Sequence, residues 1–213
     1  MHFPPDPGGA APGHPGELSL GPGHWESLYL EGRTPWDTGG VPQEMEDYLA
    51  GDPPGLRALV PGCGSAYEAG RLAASGRQVL AVDFSQAAVA RARSVTAGTG
   101  AVIMEADFFE LGGRRYDLIY ERAFMCALAP EQRPDWARQC ARLLAAGGHL
   151  AGLFFTDPDA TDGPPFGISE EGLEDLLRPW FRRLEDRPSS GSLPVFVGRE
   201  RWQLWQRNEA AAD

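Results

Sequence analysis

Between Leu56 and Phe155 the chain repeatedly alternates short apolar runs with amphipathic stretches, a pattern that few folds satisfy. The apolar runs are RALV (57–60), QVLAV (78–82, ending at Asp83), 101–104, YDLIY (116–120) and HLAGLFF (149–155). Helices are expected between them at 66–75, at 85–96 with Ser85 as N-cap, and at 130–146, closed by Gly147-Gly148. Strands that alternate with helices argue for a parallel sheet covered on both faces. Two further strands are expected at 181–187 and 201–206; the Pro/Gly-rich link PSSGSLPVFVG reads as a hairpin loop, which makes that edge antiparallel. Upstream, residues 24–31 place Trp25, Leu28 and Tyr29 on one helical face. Gly32 ends that helix, TPWDTGG (34–40) is a loop around Trp36, and a second helix is expected at 42–50. Residues 1–23, rich in Pro, Gly and Ala, are expected to be a disordered tail. A single domain then covers 24–208, with 24–50 as its lid.

Composition excludes several classes of function. A length of 213 residues with 42 % hydrophobic content suits one domain with a sizeable core. No apolar run approaches the roughly 20 residues that span a bilayer, so no membrane role is expected. The N-terminus lacks a basic stretch followed by an apolar one, so a secretory signal is not expected. Cys63, Cys126 and Cys140 are too scattered for a disulfide framework or a metal site, and a cytoplasmic location is the natural reading. The net charge is −11 and all 19 basic residues are arginine, a balance that disfavours nucleic acid. The expected partner is a small molecule, and the default state a monomer.

The strongest local signal is LVPGCGSAYE (59–68). Gly62 and Gly64 lie between a strand and a helix, where the chain must turn sharply and let a ligand approach its backbone. Asp83 follows Gly62 by 21 residues, at the end of the next strand, where a carboxylate reaches the hydroxyls of a ribose. A dinucleotide fold requires a third glycine, and Tyr67 stands there. S-adenosylmethionine has no pyrophosphate and needs only the first turn, so the pattern fits it; the bland alternative is a tight turn alone. In EADFF (105–109), Asp107 and the Phe108 amide are placed to meet an adenine edge; alternatively, Asp107 caps the next turn and the two phenylalanines are core. Arg122 can meet the methionyl carboxylate or shape an acceptor site, or it forms a salt bridge with Glu121 or Asp117. Trp25, Tyr29 and Trp36 would offer aromatic faces to a sulfonium cation, or the first two simply pack their helix onto the domain. Cys63 reads as a small filler rather than a nucleophile, and His149 as structural.

The chain resembles the thiopurine S-methyltransferase family, and within it the thiol, halide and thiocyanate methyltransferases of plants and bacteria. The stretches that carry the likeness are WESLYLEGRTPWDTG (25–39), ALVPGCGSAYEAG (58–70), VLAVDFSQAAV (79–89), EADFF (105–109), YDLIYERAFMCAL (116–128), RPDWARQCARLLAAGGHL (133–150) and DGPPFGIS (162–169). The resemblance implies an α/β fold: a doubly wound, mostly parallel seven-stranded sheet of the class I S-adenosylmethionine-dependent methyltransferase type, with an antiparallel C-terminal edge and an N-terminal helical lid. It implies cofactor contacts from Trp25, Trp36, Gly62, Asp83, Asp107, Phe108 and Arg122 and, at a position often held by tryptophan, from Tyr29. Phe166 stands where the plant halide and thiocyanate enzymes often have tyrosine. The implied reaction is in-line methyl transfer to a soft nucleophile, which needs no strong base. The other readings are transfer to O or N on the same fold, a cofactor-binding module without turnover, and a nicotinamide dehydrogenase, which Tyr67 disfavours.

Overall fold

The computed structural model describes residues 21–37, 39–113, 115–192 and 196–209. Helices α1 (Pro22–Leu30) and α2 (Gln43–Ala50) precede the alternating region. That region runs β1 (Arg57–Pro61), α3 (Tyr67–Ala74), β2 (Gln78–Asp83), α4 (Gln86–Val95), β3 (Val102–Glu105), β4 (Tyr116–Arg122), α5 (Arg133–Leu143) and β5 (Leu144–Phe155). Helix α6 (Glu170–Leu177), β6 (Phe181–Pro188) and β7 (Glu200–Arg207) complete the chain. The strands form one seven-stranded sheet in the order β3-β2-β1-β4-β5-β7-β6. Strands β1 to β5 are parallel and β7 runs antiparallel to both its neighbours, so the expected C-terminal edge is present. The order reverses between β1 and β4, and a crevice opens there beyond the carboxyl ends of the strands.

Both sheet faces are buried, which explains why the strands read as near-continuous apolar runs. Leu59, Ile119, Leu150 and Phe154 pack with Trp136 of α5 and with Leu173 and Leu177 of α6. Ala58, Val60, Leu118, Tyr120 and Trp202 pack on the other face with Met45 of α2 and Leu72 of α3. Ser85 caps α4 as expected, its hydroxyl accepting from the Ala88 amide at 3.0 Å.

The structure corrects the sequence reading in three places. The helix expected to reach Ala146 stops at Leu143. Leu144 is already extended (φ −82°, ψ 145°) and pairs with Tyr116, so β5 starts well before His149. Tyr116 faces Leu144 but Leu118 faces His149, so residues 145–148 bulge out of the ladder, with Gly147 at φ +72°. Burying Leu144 in the sheet outweighs the helix preference of Ala145-Ala146. Helix α6 was not expected, although Ser169 supplies its cap by accepting from the Gly172 amide at 3.0 Å. Finally, α1 begins at Pro22, before the boundary set at residue 24; residues 1–20 of the expected tail lie outside the described residues.

Candidate active site

A cavity of about 560 Å³ lies over the carboxyl ends of β1, β2 and β4. This volume is within the usual range for small-molecule sites. All eight residues expected to contact a cofactor line it: Gly62, Asp83, Asp107, Phe108 and Arg122 from the sheet side, Trp25, Tyr29 and Trp36 from the lid.

The glycine turn forms as the sequence requires. Gly62 and Gly64 have φ of +54° and +51°, and Ala66, the residue before α3, is left-handed as well at +59°. Space demands glycine too. A Cβ on Gly62 would lie 2.3 Å from the Phe124 ring, and one on Gly64 would lie 2.6 Å from Tyr29 Oη. The turn is therefore covered by Phe124 from beyond β4 and by the lid tyrosine.

Asp83 closes this turn. Its Oδ2 accepts from the Gly64 amide and its Oδ1 from the Ser85 amide, each at 3.0 Å. Burial pushes the carboxyl upward, and those backbone donors pull it partly back. The Phe84 amide also favours the charged form, and the carboxylate still has acceptor capacity to spare. Asp107 shows the alternative role considered for it, since its Oδ1 accepts from the Phe109 amide at 2.8 Å and caps the turn 108–110. The side chain is nonetheless exposed at the cavity. Phe108 is buried with its ring edge-on to Phe124 at 5.4 Å, so it serves the core and the cavity wall together.

Arg122 departs from both partners considered from sequence. It pairs with Glu68 of α3 at 2.9 Å, and both side chains are nearly buried. Glu121 cannot be that partner because adjacent residues in a strand point to opposite faces. Its Oε1 instead accepts from the Phe124 and Met125 amides at 3.1 and 3.0 Å. Asp117 sits at the far end of β4, where its Oδ2 accepts from the Leu56 and Arg57 amides.

The lid is an aromatic cluster centred on Trp36. Trp25 and Tyr29 meet it edge-on at 5.3 and 5.9 Å, and Trp36 Nε1 donates to Tyr29 Oη at 3.1 Å. Burial pushes the Tyr29 phenol well upward, so it stays neutral. No residue of α1 is fully buried, so its rings face the cavity rather than a closed core. Two carboxylates that sequence reasoning missed fasten this lid. Glu26 accepts from Ser85 Oγ at 2.7 Å and from the Ala87 amide at 3.1 Å, which adds a second cap to α4. Asp37 accepts from Ser65 Oγ and pairs with Arg91 of α4 at 2.6 Å. The sequence held a signal for Asp37 in its TPWD stretch; for Glu26 and Glu68 the partners lie 59 and 54 residues away in the chain and only folding reveals them.

Cys63 is buried, and burial pushes its thiol well up, as a filler requires. His149 is buried against Tyr48, with Nδ1 3.0 Å from Tyr48 Oη, and is structural. Tyr120 is fully buried and borders the cavity, and its Oη has no partner among the described residues.

These features fit S-adenosylmethionine. Bare glycine backbone, a carboxylate with acceptor capacity to spare, exposed Asp107 and three aromatic side chains surround a space with more acidic than basic lining groups, which suits a sulfonium. Comparison with known proteins agrees: the sequence profile of the thiopurine S-methyltransferase family matches residues 20–208. The chain belongs to the thiopurine S-methyltransferase family. Among its relatives, "Probable thiol methyltransferase 2" of Arabidopsis thaliana is 35 % identical over 74 % of this chain and 72 % of its own length. "Thiocyanate methyltransferase 1" of the same plant is 31 % identical over 87 % and 85 %. The fold is also that of Burkholderia thailandensis 1,6-didemethyltoxoflavin-N1-methyltransferase, solved with S-adenosylhomocysteine: the TM-score is 0.73 at 17 % identity, over 94 % of this chain and 93 % of that one. This family member is an S-adenosylmethionine-dependent methyltransferase. No helix among the described residues is long and apolar enough to cross a membrane.

Proposed function

We propose that this enzyme methylates a small, soft nucleophile: a thiol, thiopurine, thiocyanate or halide. The observation that carries the reading is the character of the cavity beyond the lid rings. Trp36 and Ala123 pack there with Cys126, Phe155 and Phe196 in one apolar cluster. Cys126 and Phe196 of this cluster line the cavity together with buried Gly163, none of them a carboxylate or an imidazole, and Asp162 is exposed at the rim. Such a wall suits an acceptor that gives up its proton readily or carries none; thiols ionise near pH 8.5 without help. The relatives named for thiol and thiocyanate support the same class.

S-adenosylmethionine, when bound, supplies an electrophilic methyl group on a cationic sulfur. Asp83 would hold the ribose with the acceptor capacity that the backbone leaves it, and Asp107 with the Phe108 amide would meet the adenine edge. Trp25, Tyr29 and Trp36 would supply the aromatic surface beside the positive charge, a contact worth about 0.5–2 kcal/mol where a ring face meets it and water is excluded. Arg122, held by Glu68, borders the space between cofactor and acceptor. The chain contributes orientation and exclusion of water rather than proton transfer. A cytoplasmic location fits three unpaired, buried thiols.

The test is turnover with labelled S-adenosylmethionine against iodide, thiocyanate, hydrosulfide, an aromatic thiol and a thiopurine, with headspace detection for volatile products. Transfer to at least one is expected, and Asp83→Ala is expected to weaken cofactor binding at least tenfold in calorimetry. Transfer confined to oxygen or nitrogen acceptors refutes the acceptor class. Unchanged affinity of the variant removes Asp83 from the site.

A further inference from the structure

We infer that Arg133, which does not border the cavity, is the positioning residue of its acceptor wall. Residues 162–165 line the cavity at its apolar end, and they belong to a segment, 157–167, with no helix or strand of its own. Such a segment needs an external clamp to hold a wall in register with a methyl group. Arg133 opens α5 and is buried, and its guanidinium reaches across to the segment's end. Nη1 donates to the Gly167 carbonyl at 3.0 Å and Nη2 to the Phe166 carbonyl at 2.8 Å. The fork geometry of arginine suits two adjacent carbonyls, and an ammonium cannot reproduce it.

The clamp closes a short loop of contacts. The Phe166 amide donates to the Cys126 carbonyl at 2.7 Å, and Cys126 borders the cavity. The Gly167 amide donates to the Ala160 carbonyl at 2.8 Å. A Cβ on Gly167 would lie 1.6 Å from the Asp157 carbonyl oxygen, so the two ends of the segment are in direct contact. Arg133 thus ties residues 166 and 167 to the helix that follows β4, while the 162–165 stretch just before them faces the acceptor. Among the described residues, Asp83 and the glycine turn make no hydrogen bond to Arg133 or to this segment, and Trp36 meets it only through the apolar cluster it shares with Ala160. The predicted signature is a defect in the acceptor alone.

This inference rests on the acceptor reading above, and the experiment separates the two. Arg133→Lys and Arg133→Met are compared with the wild type in three measurements. The first is acceptor KM for whichever of iodide, thiocyanate, hydrosulfide, the aromatic thiol or the thiopurine the wild type turns over fastest. The second is S-adenosylmethionine affinity by calorimetry, and the third is backbone amide hydrogen exchange. Both variants are expected to raise acceptor KM about tenfold or more, as loss of a charge-assisted hydrogen bond implies. Cofactor affinity is expected to stay within about twofold on the same scale. Exchange is expected to quicken in 157–168 and to stay unchanged in 59–68. Cofactor affinity falling in step with acceptor KM would show that Arg133 supports the fold at large and overturn the inference, as would unchanged KM and exchange. If Arg133→Met fails to fold, Arg133→Lys decides between these outcomes. A wild type that transfers methyl to none of the probes refutes the acceptor reading, and the inference with it, whatever the variants do.

Discussion

Replacing Glu121 by glutamine should change how the stability of this protein responds to pH, by an amount the structure sets. The carboxyl is fully buried at the end of β4, and burial pushes it up to about 7 although Oε1 accepts two backbone amides. Its Oε2 has no partner among the described residues. Titratable neighbours do little to hold its charge, since Cys126, Cys140 and Tyr120 are all kept neutral by burial. The unfolded chain releases this proton near the ordinary value of 4.5, so between pH 4.5 and about 7 the folded state binds more protons. The stability this proton contributes is fully present below pH 4.5 and is lost as the pH rises through about 7. The difference corresponds to about 3 kcal/mol. Glutamine keeps an oxygen acceptor for the Phe124 and Met125 amides but does not titrate. Its NH₂ is left without an acceptor, which costs about 1–3 kcal/mol at every pH. The informative quantity is therefore the slope and not the offset. Urea unfolding of both proteins from pH 4.5 to 8 should show the wild type losing about 3 kcal/mol relative to Glu121→Gln. Asp83 and Glu200, which burial also pushes up, cancel in this comparison because both proteins carry them. Parallel curves would refute the account, since they would mean that Glu121 has the same proton affinity folded and unfolded.

Two further outcomes follow from the site. Arg122→Ala should destabilise the fold by about 3 kcal/mol in urea, because it leaves the nearly buried Glu68 carboxylate without its ion pair. Adding Glu68→Gln should recover part of that loss, and a double variant no more stable than Arg122→Ala would show that the pair is not the cause. Gly64→Ala should weaken S-adenosylmethionine binding about tenfold in calorimetry, because its Cβ would displace Tyr29 and its φ of +51° disfavours a side chain. Affinity equal to that of the wild type would show that the tyrosine's place over the turn is irrelevant to the cofactor.

Sequence alone determined the layered architecture of this protein and the place of its binding edge. Apolar runs of strand length separated by amphipathic stretches leave little but a covered parallel sheet, because both faces of such strands must be buried. Glycines at positions 62 and 64 and an acid closing the next strand mark the crevice, since φ near +50° and a close approach favour glycine there. These are local signals, carried by a few residues close together in the chain. Local preference misled where burial in the sheet opposed it, at Leu144 to Ala146, where the strand displaced the end of a helix.

What only the tertiary structure decided is which charges meet. Arg122 finds Glu68 across 54 residues, Glu26 reaches Ser85 across 59, and Arg133 clamps Phe166 across 33. Patterns of hydrophobicity place elements in layers but do not say which polar tips come within 3 Å of one another. That depends on where helices and loops settle once the sheet has formed. The outline of the site was thus legible in the chain, whereas the bonds that close the lid and fix the acceptor wall exist only in the fold.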